Sequence, residues 1–361
     1  MKGSAKKNDA AQNALHRALS RYVNGGYWRR GGLPDLLLPR RGHKRVAEGL
    51  VRDYAALRGG GRTGSPRQRP VTYSVPRYAG GVPEVHNAAA FLADRLSDDL
   101  VAALVHGSLG SYEAVPYSDF DALVILKDAV MEDPDRLARV ARDLCRATGY
   151  MIALDPLQHH GWFVLTEYDL QHHCEAYFPS VLFGYAKSLL PGDGATVELR
   201  VRPSHEEARG AFDAVATAVR RKLEAGFQPR GGYALKLLLS QFMLLPALYV
   251  QVRDGRGIWK GDSFRCAAGD FEEEAWASME AVSQLRREWA SGSVPPYARW
   301  ALSPGRLGTY VRSRLPIPPA LAERVDAGLL RGMLQLVRAM QDNLAAMQEG
   351  GGRLAFEGGV R

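Results

Sequence analysis

The stretch VAALVHGSLGSYEAVPYSDFDALVIL, residues 101–126, decides the fold that this sequence predicts. It starts and ends with apolar runs, residues 101–105 and 122–126, which predict two short strands buried on both faces. The tripeptide His-Gly-Ser, residues 106–108, follows the first run, and Asp-Phe-Asp, residues 119–121, directly precedes the second. Polar groups at the ends of two buried strands predict a ligand-binding site.

Gly107 and Ser108 predict a tight turn into a short helix. Glycine lets the backbone approach a ligand closely, and serine offers a hydroxyl and an N–H near a helix N-terminus, where phosphates commonly bind. Taken alone, a Gly-Ser pair after a strand is usually only a turn. The prediction of a phosphate site therefore depends on what else lies at this edge.

Asp119 and Asp121 predict a metal site. Side chains two apart on a strand point to the same face, with Cα atoms ~6.6 Å apart. Two carboxylates at the mouth of an apolar strand repel each other unless cations or donors neutralise them, and all-oxygen ligands favour Mg²⁺ or Mn²⁺ over Zn²⁺. The alternative is two exposed acids at a strand end.

Gly107-Ser108, ten intervening residues and Asp119-Phe120-Asp121 together resemble the signature of the DNA polymerase β-like nucleotidyltransferase superfamily. That signature is a hydrophobic residue, Gly, Gly or Ser, a spacer of about nine to thirteen residues, then Asp, hydrophobic, Asp or Glu, hydrophobic. His106 departs mildly from the first position, a departure tolerable in the aminoglycoside-modifying branch. The resemblance covers residues 87 to about 200 and does not extend to residues 1–85.

The resemblance implies an α+β fold with an α/β-type mixed sheet, followed by an all-α helical domain. We accordingly divide the chain into a basic N-terminal extension (1–85), a catalytic domain (86–203), a helical domain that binds substrate and nucleotide (204–348) and a flexible tail (349–361). Superfamily members commonly hold nucleotide and acceptor in the cleft between two such domains.

Hydrophobic periodicity predicts further elements on both sides of the opening stretch. The predicted helices are residues 10–23, 43–57, 87–100, 134–148, 169–190, 205–225, 232–252, 270–290 and 318–348. The further predicted strands are residues 150–154, 162–165 and 195–201. Residues 71–85 are predicted to be extended and irregular.

The superfamily places a third carboxylate on a neighbouring strand, and Asp155 is the candidate because it ends the predicted strand 150–154. Its 34-residue separation from Asp121 leaves room for one crossing helix. Glu167 and Asp169 are competitors, although Asp169 also fits the N3 position of a helix capping box.

Nearby histidines raise the alternative of a zinc site. His159-His160 and His172-His173 lie close in sequence to Cys174 and Asp155. Adjacent histidines are expected to point in different directions, whereas metal ligands need convergent geometry. This expectation argues against zinc and favours a histidine that lines the pocket or satisfies a turn.

A second set of candidates comes from the resemblance alone. Residues 257–264, GIWKGDSF, resemble the Lys and Ser segment of several branches, which implies that Lys260 and Ser263 contact the triphosphate. Lys236 is a further candidate. A lone lysine on a loop is more often solvated than functional.

The implied reaction is nucleotidyl transfer from an NTP co-substrate, such as ATP, to a hydroxyl-bearing acceptor. Two Mg²⁺ or Mn²⁺ ions would stabilise the attacking and leaving oxygens. Asp119, Asp121 and Asp155 are then the catalytic metal ligands, and Asp155 also accepts the proton of the acceptor hydroxyl. Gly107 and Ser108 bind the β- and γ-phosphates, and pyrophosphate leaves.

The acceptor is expected to be a small hydroxylated molecule, with an RNA or tRNA end as the alternative. Residues 1–85 carry 17 basic and 5 acidic residues, so the segment has a charge of +12 in a chain of net charge +8. Such a segment could bind RNA phosphates, or it could dock on the acidic remainder of the same protein. Synthesis of linear or cyclic oligonucleotides and a catalytically silent binding module are further hypotheses.

Composition predicts a cytoplasmic protein with no membrane partner. No run of ~18 residues is uninterruptedly apolar, and the N-terminal residues carry charge with no apolar block behind them. Three widely spaced cysteines, Cys145, Cys174 and Cys266, indicate buried thiols in a reducing compartment and no disulfide framework. The sequence leaves the oligomeric state open.

Overall fold

A computed structural model describes residues 2–25, 40–60, 68–289 and 306–349. The chain divides into two compact units, each assembled from several segments. The first unit comprises Met1–Cys174, Leu182–Arg202 and Ser291–Leu315. The second unit comprises Glu175–Val181, Pro203–Ala290 and Pro316–Arg361.

The first unit is mixed α/β, which confirms the coarse fold class predicted from the sequence. Its helices are α1 (Lys2–Val23), α2 (Arg40–Gly59), α3 (Pro83–Leu96), α4 (Gly107–Gly110), α5 (Asp128–Met131), α6 (Pro134–Leu154), α7 (Glu167–Gln171), α8 (Leu182–Tyr185) and α13 (Arg306–Arg312). Its strands are β1 (Arg69–Pro76), β2 (Leu100–Val105), β3 (Ala122–Leu126), β4 (Phe163–Thr166), β5 (His173–Cys174), β6 (Lys187–Ser188) and β7 (Gly194–Arg202).

The second unit is helical in its described residues. Its helices are α9 (His205–Glu224), α10 (Gly232–Asp254), α11 (Lys260–Ala268), α12 (Glu273–Arg287), α14 (Pro319–Ala322) and α15 (Ala327–Glu349). The predicted helix 318–348 is therefore two helices, and α11 was not predicted.

A four-stranded mixed sheet with the order β4-β3-β2-β6 positions the opening stretch. β2 pairs antiparallel with β3, and β3 pairs parallel with β4. The end of β2 and the starts of β3 and β4 therefore lie at the same edge. The two apolar runs predicted as strands are confirmed, and every residue of β3 is buried. A smaller sheet has the order β1-β7-β5.

The N-terminal segment belongs to the core of the first unit. Leu19 and Tyr22 of α1 and Tyr54 of α2 are buried in the same cluster as the apolar stripe of α6. β1 pairs antiparallel with β7 along its whole length. The predicted boundary after residue 85 is therefore wrong. The apolar faces of α1 and α2 are buried against α6 and do not form a separate domain.

Residues 150–154 and 169–190 also differ from the elements predicted for them. Residues 150–154 are the last turns of α6 and not a strand. Met151 extends the buried stripe of that helix one turn beyond Ala147, and a short apolar run fits helix and strand equally well by periodicity. Residues 169–190, predicted as one helix, contain only the short elements α7, β5, α8 and β6.

Helix α10 is long and apolar enough to cross a membrane by length and composition. However, 72% of its most apolar window is buried within the fold, as in the core helix of a soluble protein. One such helix is a weak indication of a membrane span, and the cytoplasmic location stays a prediction.

We expect Asp169→Asn to lower the free energy of unfolding by roughly 2–3 kcal/mol at pH 7. The Asp169 Oδ1 atom lies 2.7 Å from the His16 Nε2 atom and accepts a hydrogen bond from Gln12, and both partners lie on α1. Burial opposes ionisation of Asp169, but the charge of His16 and these hydrogen bonds lower its pKa to about 2.

Because the folded-state pKa lies below the unfolded value of ~3.9, this stabilisation is complete above pH ~4 and is lost as the pH falls towards 2. Urea unfolding at pH 7 and pH 3 measures the difference. Asp135→Asn is the matched control, since Asp135 forms an exposed, solvent-screened ion pair with Lys44 and its loss is expected to change stability little. Equal losses in the two variants would contradict the assignment.

Candidate functional site

The structure brings the Gly-Ser pair and the Asp pair together, as predicted. The last residue of β2, Val105, pairs with the first residue of β3, Ala122. One residue further on, the His106 N–H donates to the Asp121 carbonyl oxygen at 2.9 Å. Gly107, just after the end of β2, therefore lies beside Asp121, just before the start of β3.

Gly107 lies directly against the Asp121 carboxylate. Its φ is +62°, and a Cβ at this position would lie 2.3 Å from the Asp121 Oδ2 atom. Both observations require glycine, because a side chain would be strained by the backbone and would collide with the carboxylate. The signature glycine thus provides a close approach of backbone to an acid within the protein itself.

Ser108 fixes the loop that carries the aspartates. Its hydroxyl donates to the Ser118 Oγ atom at 2.8 Å, and Ser118 in turn accepts from the Val115 N–H at 2.9 Å. The predicted short helix after the turn is α4, only four residues long. The phosphate-binding role of Gly107 and Ser108 stays a prediction.

Two histidines complete the site. The His160 Nε2 atom lies 3.0 Å from the Asp121 Oδ1 atom and 3.7 Å from the Asp119 Oδ2 atom. The His159 Nδ1 atom also lies 3.7 Å from the Asp119 Oδ2 atom. The expectation that adjacent histidines point in different directions is therefore wrong for this pair. His159 approaches Asp119 with its Nδ1 atom, and His160 approaches it with its Nε2 atom.

Side-chain amides hold this histidine segment in place. Gln158 is buried and bonds both the N–H and the carbonyl oxygen of Phe120, at 3.0 and 3.2 Å. Asn24, at the end of α1, bonds both backbone groups of Trp162. Gly161 lies so close to Asn24 that a Cβ would meet its side-chain oxygen at 1.9 Å. The backbone on either side of His159 and His160 is thereby anchored.

The charges of the site depend on one another. Burial lowers the pKa of His160, but the Asp121 and Asp119 carboxylates outweigh burial and raise it to about 10. Burial opposes ionisation of Asp121, yet the charge and hydrogen bond of His160 hold the Asp121 pKa below its ordinary value. Burial lowers the pKa of His106 to about 4. At neutral pH, therefore, His160 is an imidazolium between two carboxylates and His106 is neutral.

Asp155 does not join this group. It is the C-terminal cap of α6, is buried, and its Oδ1 atom accepts from the Leu157 N–H at 3.0 Å. The described residues whose ligand atoms lie within 4.8 Å of one another are Asp119, His159 and His160. The prediction of Asp155 at the end of a strand is wrong, and the place opposite the Asp pair holds histidines.

The competing acids lie at the other end of the sheet. Glu167 and Asp169 follow β4, whose last residue pairs with Leu126 at the end of β3. Asp121 precedes the start of β3, five residues or ~17 Å away along the strand. Glu167 accepts a hydrogen bond from the Asp128 N–H, and Asp169 forms the capping box of α7. Both acids have structural roles.

The predicted triphosphate contacts lie in the second unit. Lys260 is the first residue of α11, where a loop was expected. Ser263 is fully buried, and its hydroxyl donates to the Lys260 carbonyl oxygen at 2.7 Å. Lys236 is fully buried in α10. Contact of these residues with nucleotide stays a prediction.

Of the other metal-ligand candidates, His173 and Cys174 form β5, which pairs with β7. His172 packs against the ring of Tyr168, with ring centroids 4.4 Å apart. Neither these histidines nor Cys174 belongs to the ligand group found among the described residues.

No sequence pattern indicated Tyr112 and Lys187 as residues of the candidate site. Tyr112 follows α4, is 51% exposed and has a φ of 62°, which is uncommon for a residue with a side chain. Lys187 pairs with Val105, and its Nζ atom lies 5.3 Å from the centroid of the Tyr112 ring. An exposed ring beside a cation suits a planar, negatively charged ligand. β6 has only two residues, too few for a periodic pattern that would predict a strand.

A scan against protein-family models gives no match for this chain, and a search of curated proteins gives no similar sequence. The geometry and chemistry of the site are therefore the grounds for a function.

We expect His160→Gln to lower the melting temperature more at pH 6 than at pH 10 in buffer with a chelator. The folded-state pKa of His160, about 10, lies above the unfolded value of ~6.5. Its ionisation therefore stabilises the fold fully below pH ~6.5, and this stabilisation is lost as the pH rises to 10.

Thermal unfolding between pH 6 and pH 10 checks this prediction. His205→Gln is the control, because His205 is exposed at the start of α9, and its effect is expected to be small at both pH values. A His160→Gln loss that does not change with pH would argue against the imidazolium.

Proposed function

We propose that this protein is a metal-dependent nucleotidyltransferase that moves a nucleoside monophosphate from an NTP to a hydroxyl acceptor and releases pyrophosphate. One observation carries the proposal: Gly107-Ser108 and the pair Asp119 and Asp121 meet at one edge of a mixed sheet, with Gly107 in contact with the Asp121 carboxylate. A cation would use the two acids and phosphates would use the glycine turn beside them.

The nucleotidyltransferase fold is part of the proposal. The order of strand, Gly-Ser turn, short helix and antiparallel strand headed by two aspartates supports it, as realised in β2, α4 and β3. The helical second unit is compatible with the helical domain that accompanies the catalytic domain in the superfamily.

In the proposed reaction, the residues of the site hold charge and orient substrate. Asp119 and Asp121 would hold a divalent ion, which supplies Lewis acidity at the phosphate when bound. The donor set fits a cation, because carboxylate oxygens of Asp119 and Asp121 converge on one point, the His160 Nε2 atom, at 3.7 and 3.0 Å. The N–H groups at the start of α4 would face the outer phosphates, and Lys187 and Tyr112 would contact the remainder of a planar, charged substrate.

A small hydroxylated acceptor is favoured over RNA. Part of the positive charge of the N-terminal segment is paired with acids of the same chain. Lys44 pairs with Asp135 at 2.9 Å, and Arg58 pairs with Asp128 and Glu132 at 3.0 and 2.8 Å. These contacts support the hypothesis that this segment docks on acidic surface of the same chain.

We expect Asp121→Asn and Asp119→Asn to lower pyrophosphate release by a factor of ~10³ or more. Loss of a carboxylate that holds the ion removes several kcal/mol of transition-state stabilisation, at ~1.4 kcal/mol per tenfold. The assay incubates the protein with each labelled NTP, Mg²⁺ or Mn²⁺ and a panel of metabolites and RNAs, and mass analysis identifies the product. It includes one arm without acceptor, which detects oligonucleotide synthesis.

Asp193→Asn is the matched control, because Asp193 is exposed in the turn before β7, and it should keep wild-type turnover. Near-wild-type turnover in Asp121→Asn would exclude the proposed role of the Asp pair. A folded wild-type protein with no product in any arm would contradict the proposed function.

The double variant Arg45→Glu, Arg52→Glu tests the RNA alternative. Both arginines are exposed on α2. We expect turnover with a small acceptor to stay within ~2-fold of wild type and to depend weakly on salt. Loss of RNA labelling in this variant, together with a steep fall in wild-type RNA labelling between 50 and 200 mM salt, would instead identify RNA as the acceptor.

A further inference from the structure

We propose that Asp119, His159 and His160 form a binding site for a divalent transition-metal ion, such as Mn²⁺, Co²⁺ or Zn²⁺, that discriminates against Mg²⁺. The inference refines the metal of the proposed function and rests on that function for the role of the ion in catalysis. Binding of the ion is measurable without turnover.

The distances suit one shared ion. The Asp119 Oδ2 atom lies 3.7 Å from a ring nitrogen of each histidine, and the three ligand atoms lie within 4.8 Å of one another. Two ligands ~2.1 Å from one metal are ~3.4 Å apart at a tetrahedral angle and ~4.2 Å apart on opposite sides. The observed 3.7 Å separations fall between these values, so side-chain adjustments of tenths of an ångström would complete the site.

The orientation of the rings also suits convergence. The His159 and His160 ring centroids are 4.8 Å apart and their planes cross at 76°, so the two nitrogens reach Asp119 from different directions. The backbone that carries them is anchored by Gln158 on one side and by Asn24 on the other. A site whose ligands are held in place before binding loses little freedom when the ion enters.

The ligand set determines the class of metal. Two imidazoles and one carboxylate are typical ligands of Mn²⁺, Fe²⁺, Co²⁺ and Zn²⁺, whereas Mg²⁺ prefers oxygen ligands and retains its waters. Three protein ligands also leave coordination positions open for water or a phosphate oxygen. The site therefore differs from the all-oxygen set that the sequence predicts.

Asp121 distinguishes the Asp pair from the three proposed ligands, because Asp119 belongs to both sets and Asp121 only to the pair. It contacts His160 at 3.0 Å but does not belong to the group of three converging ligands. Asp121→Asn should therefore weaken Co²⁺ binding by less than the ~10-fold expected of His159→Ala or His160→Ala, while losing turnover. This variant makes failure of metal selection distinguishable from failure of the proposed reaction.

The test titrates metal-free full-length protein with Co²⁺, followed by visible absorption, and with Zn²⁺, Mn²⁺ and Mg²⁺ by calorimetry. We expect one Co²⁺ per chain, bound at least ~100-fold more tightly than Mg²⁺. His159→Ala and His160→Ala should each weaken Co²⁺ binding at least ~10-fold and change Mg²⁺ binding by less than ~3-fold. His205→Ala, which changes an exposed histidine elsewhere, should bind Co²⁺ like wild type.

Wild-type protein that binds Mg²⁺ as tightly as Co²⁺ would overturn the inference, and this measurement needs no variant. Equal Co²⁺ affinity in wild type and the double variant His159→Ala, His160→Ala would also overturn it. Unfolding midpoints in chelator establish that each variant is folded. Tight Co²⁺ binding without any nucleotidyl product would support the metal site and contradict the proposed function.

Discussion

The antiparallel pairing of β2 with β3 is the constraint on which the candidate site depends. Because Val105 pairs with Ala122, the residue after one strand meets the residue before the other, and Gly107 comes to lie against Asp121. The parallel pairing of β3 with β4 then brings the chain before β4 to the same edge. The segments after β2, before β3 and before β4 thus all contribute residues to the candidate site.

Charge balance explains why histidines at this edge are consistent with a stable fold. Two carboxylates at the end of a buried strand would destabilise it if they had no positive neighbour. The ring of His160 supplies that charge within 3.0 Å of Asp121 and 3.7 Å of Asp119. A cation bound at Asp119 would replace a charge that the protein already provides, so binding and protonation of this ring are linked.

Sequence reasoning found the elements whose pattern is local. The strands, the turn and the Asp pair lie within 26 residues, where two continuous apolar runs indicate the strands and the polar residues at their ends indicate the chemistry. The strand predicted at residues 150–154 was wrong because a short apolar run fits a strand or a helix, and the long apolar stripe of α6 decided for the helix. The direction of His159 and His160 depends on Gln158 and on Asn24, which lies 138 residues from Trp162 in sequence, so no local pattern encodes it.

The hydrogen bonds between Asn24 and Trp162 connect the end of α1 to the histidine segment and hold its backbone in place. A fragment that begins at residue 86 would lack these hydrogen bonds, the apolar faces of α1 and α2 and the strand β1. It would expose the stripe of α6 and one edge of β7, which favours aggregation. α1, α2 and β1 therefore belong to the packed first unit, so a role of this segment in ligand binding is tested by changes at its surface and not by its removal.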